Sequence, residues 1–258
     1  MPWKDADVPT HLSFEQHLSG FREAMRAMCR YADRAGLDVD VPPCPEWTVR
    51  RLIGHQGMIH RWARANLRGE SIEVEATEKA GRSHADPVDW LRDGAIDLVT
   101  TLVAAAPDVD ALVFLHDAPP ARLFWARRQH HETTMHAVDT LAAAHGRLPT
   151  AAETWISPEV ALDGIDELVL GFVPRSKSQL RVGAGEAPVT IAIRPTDAEH
   201  SYTVRVTEAP PVVARVDGRA DGDLVVEAPS APLYLALWHR TDEVSSDIWP
   251  LWRGSAIT

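Results

Sequence analysis

The most constraining feature of this sequence is a helix-forming stretch, residues 125–146, that reads WARRQHHETTMHAVDTLAAAHG. Glu132 and His136 stand four residues apart within it, so on a helix their side chains share one face, one turn apart. Burying a charged group is unfavourable unless the group is paired or binds a metal. The stretch therefore predicts a long helix that carries part of a polar site, which a group from elsewhere in the chain must complete.

Three further amphipathic helices are predicted before this one. Ser13 followed by Gln16 forms a capping-box pattern, and Thr48 and Asp86 are suitable caps for the next two helices. The connections 37–47, with three prolines, and 69–85, which is polar, are predicted to be non-helical. Four long helices in about 150 residues predict a four-helix bundle, a fold that places metal and ligand sites between facing helices. The predicted helices span residues 13–35, 48–68, 86–106 and 125–146.

After residue 150 the pattern changes. One more helix is predicted from Ser157–Pro158 to about Gly171. Beyond it, the apolar period shortens from about 3.6 to 2, which indicates strands, and an apolar helix follows at 230–239. The strands are predicted at 189–193, 202–206, 212–216 and 224–227. The fold class is therefore α plus α+β, with a helical bundle at 1–150 and a small α+β domain at 151–258.

Composition excludes several classes of function. The formal net charge is −11 over 258 residues, which argues against binding to nucleic acid or to an anionic membrane surface. The sequence has no apolar run of the length that a membrane helix needs, and its beginning does not resemble a signal peptide. Two cysteines cannot build a disulfide framework, so a cytoplasmic location is expected.

The second predicted helix supplies a candidate for the missing group. His55 lies on its apolar, inward stripe and, with Glu132 and His136, makes a set of two histidines and one carboxylate. Three protein ligands leave coordination positions open, as in catalytic metal sites, and mixed nitrogen and oxygen donors favour zinc, with nickel, iron or manganese as alternatives. The alternative without a metal is that His55 is a hydrogen-bonded core residue and that Glu132 pairs with Arg128.

Two residues are candidates for supporting roles. Asp139, one turn after His136, can orient that histidine or bind hydroxyl groups of a cosubstrate, or else pair with Arg128 or make a buried helix contact. Arg82, in the polar 69–85 segment, can bind a substrate carboxylate, or else lie on the solvated surface.

The remaining histidines are expected to lie outside the site. On helical spacing, His130 and His131 point away from Glu132 and are predicted to lie on the surface or to support the ligands from behind, and His60 is predicted to be structural or at the rim. Nothing in the pattern assigns a role to the others, His11, His17, His84 and His145.

Two motifs carry a resemblance to a known family. CPEWTVRRLIGHQGMIHRWA (44–63) and RRQHHETTMHAVD (127–139) resemble the mycothiol-dependent maleylpyruvate isomerase family, which belongs to the DinB-like metal-binding bundles. APSAPLYLALWHR (228–240) is similar to the closing helix of that family's smaller, sterol-carrier-like α+β domain. The residues after the motif histidine, Gln56 to Met58, depart from the family pattern of leucine and glycines, so a more polar pocket is expected.

The resemblance implies a ligand set and a chemistry. A divalent metal, usually zinc, would be held by His55, Glu132 and His136, which would also be the catalytic residues. Mycothiol, the low-molecular-weight thiol of actinobacteria, would be the cosubstrate, deprotonated by the metal. The thiolate would then either isomerise a small electrophile from cis to trans or remain attached to it in an S-transfer. The alternatives are a metal-dependent hydrolase of a small molecule and a non-catalytic zinc-binding regulatory module.

Overall fold

A computed structural model describes residues 12–253 of the chain. The chain separates into two compact units. One consists of Ser13–Val113 and Pro119–Pro149, and the other contains residues 150–253 together with the short segment Phe114–Ala118. We propose that these units are the two domains expected from the sequence, although the sequence did not predict that Phe114–Ala118 belongs with the later one.

The helical unit contains the four long helices that the sequence predicted. Ser13 caps the first, because its hydroxyl accepts a hydrogen bond from the Gln16 amide at 3.2 Å while the Gln16 side chain accepts one from the Ser13 amide at 2.8 Å. Gly146 ends the last of them in the left-handed conformation, with φ 67°. The helices are α1 (Phe14–Ala35), α2 (Val49–Arg68), α3 (Val74–Ser83), α4 (Pro87–Ala104) and α5 (Ala121–His145).

Two connections are more regular than the sequence predicted. The segment 69–85 contains α3, so its prediction as a loop was wrong. Its Glu, Ala and Lys residues are good helix formers, but only Gly81 is buried, so the segment lacks the apolar periodicity that marks a helix. The connection 37–47 is non-helical as predicted, and it contributes a two-stranded antiparallel ribbon of β1 (Asp40–Val41) and β2 (Cys44–Thr48).

Helix α5 is the central element of the helical unit. Nineteen of its 25 residues are buried, including charged and polar ones, and its most extensive contact is with α1. A helix that is covered on most sides directs its polar side chains into the protein, where each needs a partner. Because of this burial, α5 carries many of the unit's buried polar side chains, from which a functional site can be built.

The second unit is an α/β structure built on one four-stranded sheet. The strand order is β5-β4-β3-β6, with antiparallel pairs except for β3 and β6, which are parallel. The strands that the sequence predicted are all present, with slightly wider bounds, and helices pack with them to bury the core side chains Tyr202, Tyr234 and Trp252. The strands are β3 (Val189–Pro195), β4 (His200–Val206), β5 (Val212–Asp217) and β6 (Leu224–Ala228), and the helices are α6 (Pro158–Asp166), continued by a π-helical turn (Glu167–Phe172), α7 (Ser230–Leu237) and α8 (Trp249–Arg253).

Together the two units give the α plus α+β fold class that the sequence predicted. Within residues 12–253, no helix has the length and apolar character needed to cross a membrane.

Candidate metal centre

The three predicted ligand residues meet between α2 and α5. His55 of α2 and Glu132 and His136 of α5 each offer one ligand atom, and these atoms all lie within 4.8 Å of one another. The Oε1 atom of Glu132 lies 3.3 Å from Nε2 of His136. The rings of His55 and His136 meet edge to face, with centroids 5.4 Å apart. We call these three residues the open cluster, because their side chains retain 22%, 25% and 12% of their exposure, respectively.

Each histidine of the open cluster has a carboxylate beside its Nδ1 atom. Nδ1 of His136 lies 3.0 Å from Oδ2 of Asp139, whose side chain is fully buried. Nδ1 of His55 lies 3.5 Å from Oε2 of Glu78, a residue of α3. A carboxylate on Nδ1 fixes the ring and its tautomer and leaves Nε2 as the nitrogen that can bind a metal. The sequence anticipated this contact for Asp139 but missed Glu78, because 69–85 was predicted to be a loop.

Glu132 satisfies both of the interpretations that the sequence left open. Its Oε2 atom accepts a hydrogen bond from Nη2 of the buried Arg128 at 2.7 Å, while Oε1 faces His136. Burial alone would raise the pKa of Glu132, but Arg128 and His136 together lower that pKa well below its usual range. The carboxylate is therefore ionised at neutral pH and keeps one oxygen directed at the cluster.

The pKa values of the two histidines are shifted in opposite directions. Burial, and then the positive charge of His136, lower the pKa of His55. Burial also acts to lower the pKa of His136, but hydrogen bonds to Asp139 and Glu132 override it and raise this pKa to about 9. At neutral pH His136 thus carries a proton between its two carboxylates, and a metal that binds at Nε2 must displace a proton from this ring.

An aromatic residue borders the open cluster. The ring of Trp47, at the end of β2, lies 4.9 Å from the His55 ring and 6.5 Å from the His136 ring, nearly parallel to the latter. The Arg51 guanidinium lies over the Trp47 ring at 4.7 Å. The β1–β2 ribbon therefore supplies an apolar wall to the cluster. Spacing along α2 and α5 gave no signal for this contact.

Arg82 lies beside the cluster rather than in it. It belongs to α3, its Nε atom is 3.9 Å from Oε1 of Glu78, and its side chain is 42% exposed. Through Glu78 it is connected to His55, and its exposure leaves the guanidinium accessible to an anion.

The polar residue expected to change the pocket contributes instead to a buried network. The Gln56 amide lies 2.8 Å from Nε2 of His60 and donates to Thr133 Oγ1 at 3.0 Å. Burial, and then the charge of Arg61, lower the pKa of His60 to about 3, so this imidazole is neutral. His60 is therefore structural, one of the two roles that its position predicted.

Three histidines lie where the sequence did not place them. His130 and His131 were predicted to lie on the surface or to support the ligands from behind. Both are buried, and with the buried His17 of α1 they form a second group of potential ligands. The surface alternative was wrong because it assumed that α5 has a solvent-facing side, whereas α1 covers that side. His11 lies outside the described residues.

Fold and cluster together define a class of protein: a helical domain that carries a histidine–carboxylate centre between two helices, followed by an α/β unit. Residues 18–140 match the family described as the mycothiol maleylpyruvate isomerase N-terminal domain. Nearly half of the chain, lying within the helical unit, therefore matches this N-terminal domain family, and both N-terminal motifs that carried the resemblance lie inside the match.

Solved structures with a similar fold cover both units. The crystal structure of the mycothiol-dependent maleylpyruvate isomerase has 18% sequence identity and a TM-score of 0.59, and that of a histidine-to-alanine mutant of it has 15% identity and a TM-score of 0.60. Each similarity covers 92% of this chain and 93% of the other. No curated protein matches this chain by sequence.

Proposed function

We propose that this protein is an enzyme of small-molecule metabolism that uses a divalent metal and mycothiol to transform a small electrophile. The observation that carries the proposal is the open cluster, His55, Glu132 and His136, in a domain of the mycothiol maleylpyruvate isomerase family. The same three residues are the proposed catalytic centre.

The donors of the open cluster fit a divalent metal. Two imidazole nitrogens and one carboxylate oxygen that is ionised at neutral pH suit zinc first among the available cations. When bound, such a cation lowers the pKa of a coordinating thiol, so that the thiol is deprotonated at neutral pH. The partial exposure of the three side chains gives a thiol and a substrate access to the centre.

The protein's own residues hold and shape this centre. Arg128 keeps Glu132 ionised, and Asp139 and Glu78 fix the orientation of the two imidazoles. We propose that Trp47 excludes water from one side and that Arg82 binds an anionic group of the substrate. Asp139, which the sequence also suggested for binding cosubstrate hydroxyls, is proposed to act through His136, because its side chain is fully buried.

The thiol is proposed to come from a cosubstrate rather than from the chain. Cys29 is buried in α1, and burial raises the pKa of its thiol, which makes it a poor nucleophile. Cys44 belongs to β2 and is not among the donors that meet at the open cluster. A mobile low-molecular-weight thiol such as mycothiol would supply the sulfur.

We propose isomerisation as the reaction, on the basis of the family. Addition of the thiol to a carbon–carbon double bond gives a single bond that rotates, and elimination of the thiol then restores the double bond in the trans form. No atom is gained or lost, and the thiol is recovered. S-transfer would share the first step and retain the new carbon–sulfur bond.

The decisive experiment incubates the purified protein with mycothiol and maleylpyruvate and follows substrate and thiol separately. Conversion to the trans isomer with no loss of free thiol would support isomerisation, and a stable thioether product would assign S-transfer instead. Turnover that is unaffected by omission of mycothiol would overturn the thiol-dependent mechanism in favour of a hydrolase.

The same assay tests the metal. Activity should disappear after chelation and return with zinc, and His136→Ala should be inactive. The matched control is His116→Ala, because His116 is an exposed histidine of the other unit. Full activity in metal-free protein would contradict the proposed centre.

A further inference from the structure

The structure assigns a second metal site to His17 of α1 and His130 and His131 of α5, which we call the closed cluster. One ligand-capable nitrogen from each residue lies within 4.8 Å of the others. The family resemblance places no role on these residues. The site is distinct from the open cluster, because it joins α5 to α1 rather than to α2.

The spacing within the closed cluster is close to that of a tetrahedral metal site. Nδ1 of His17 lies 3.2 Å from Nδ1 of His130. A tetrahedral zinc with zinc–nitrogen bonds of about 2.0–2.1 Å holds its ligand nitrogens about 3.3 Å apart. His130 and His131 stack nearly in parallel at 5.0 Å, and His17 meets both rings edge-on. All three rings thus adjoin one another at one point between the two helices.

The backbone of α1 makes room for one of these rings. Gly20 lies within α1, where glycine is less favourable than alanine. A Cβ atom at this position would lie 2.1 Å from Nε2 of His130. The absence of a side chain at residue 20 therefore allows the His130 imidazole to lie against α1, next to His17.

The chemistry of the donors decides which ion the closed cluster would take. Three imidazoles select late first-row metals such as zinc, nickel or copper over magnesium or calcium, which prefer oxygen ligands. All three side chains are at most 2% exposed. Three imidazoles leave a coordination position open here too, but the burial of the site keeps substrate from it, so the site suits a structural ion that fastens α1 to α5. The competing possibility is a hydrogen bond between His17 and His130 with no ion.

The test counts zinc in the full-length protein. Metal-free protein is loaded with zinc chloride, desalted and analysed by mass spectrometry for zinc per chain. The proposal predicts two zinc ions in the unaltered protein and one in His136→Ala, because that variant leaves the closed cluster intact. His17→Leu should also retain one, and the double variant none.

The outcomes separate this inference from the proposed function. A His136→Ala variant that holds no zinc would overturn the closed site even if the His17 variant failed to fold. Equal zinc content in His17→Leu and the unaltered protein would also overturn it. Two zinc ions in His136→Ala and one in His17→Leu would support the closed site while contradicting the open one.

A second measurement reports on the ligands themselves. X-ray absorption at the zinc edge of His136→Ala should show scattering from three imidazoles and from no bound sulfur after mycothiol is added. Gly20→Ala retains all three histidines but displaces the His130 ring, so its closed site should bind zinc at least tenfold more weakly. Undiminished affinity in this variant would contradict the geometry.

Discussion

Two groups of histidines lie on different sides of α5. They differ both in the type of ligand that they offer and in how far solvent can reach them. The open cluster combines two imidazoles with the carboxylate of Glu132 and is partly exposed, whereas the closed cluster has three imidazoles and is buried. Both are held by one helix packed against another. Residue type alone therefore does not distinguish a site that can meet a substrate from one that can only hold the fold together.

The charged residues around the open cluster also set it apart. The open cluster is surrounded by carboxylates, with Asp139 on one histidine and Glu78 on the other, and Arg128 fixes the ionised Glu132. These anions would compensate the charge of a divalent cation and orient its ligands. We therefore propose chemistry at the open cluster and structural stabilisation at the closed one.

The largest effect is expected from loss of a ligand in the open cluster. His136→Ala should reduce kcat/KM by about 10³-fold, since a catalytic metal contributes several kcal/mol to the transition state and each 1.36 kcal/mol is a factor of ten. Steady-state kinetics with mycothiol would measure it, with His116→Ala expected to behave as the unaltered protein. Activity within tenfold of normal in His136→Ala would remove the distinction between the clusters.

Loss of an orienting carboxylate should have a smaller effect on the same centre. Asp139→Asn and Glu78→Gln retain every proposed ligand, and each should weaken zinc binding at the open cluster by about 10–100-fold. Competition with a chromophoric chelator measures this affinity. Glu75→Gln provides a matched control, because Glu75 is an exposed residue of the same helix as Glu78. An equal loss in the control variant would show a general effect of charge.

The closed cluster should respond through stability. Gly20→Ala places a methyl group against the His130 ring, and overpacking of this kind should lower the free energy of unfolding by about 1–3 kcal/mol. Denaturant titration of the metal-free protein measures the change. Alanine is otherwise the better helix former, so an increase in stability would show that the ring moves aside without cost.

The last prediction concerns a buried histidine outside both clusters, whose effect appears only at acid pH. Because the pKa of His60 falls to about 3 in the folded protein, its contribution to stability is complete above about pH 6.5 and is lost as the pH falls towards 3. Over pH 4–6 this residue should add about 1.4 kcal/mol per pH unit to the slope of the unfolding free energy. His60→Gln should remove that increment, and an unchanged slope would show that His60 is protonated in the folded state.

Much of the fold followed from the sequence because periodicity and caps are local. The long helices, the change of period after residue 150 and the four strands were predicted, and Ser13 forms the capping box that its pattern indicated. Helix α3 was missed, because it is short and its face is too little buried to give an apolar stripe.

The candidate site was predictable only in part. The spacing of Glu132 and His136 is local, and His55 was found from its apolar stripe with support from the family motif. Trp47 and Glu78 were missed, because they reach the cluster from separate elements and their contacts leave no spacing in the sequence. The closed cluster was missed because burial of α5 on nearly all sides depends on how the helices pack.

The most direct test of the open cluster is the absorption spectrum of the cobalt-substituted protein during titration with mycothiol. We expect a new sulfur-to-cobalt charge-transfer band that saturates at one thiol per chain and is absent from His136→Ala, whose closed cluster should still hold cobalt. A spectrum that mycothiol leaves unchanged, or a band that persists in His136→Ala, would contradict the assignment of thiol chemistry to His55, Glu132 and His136.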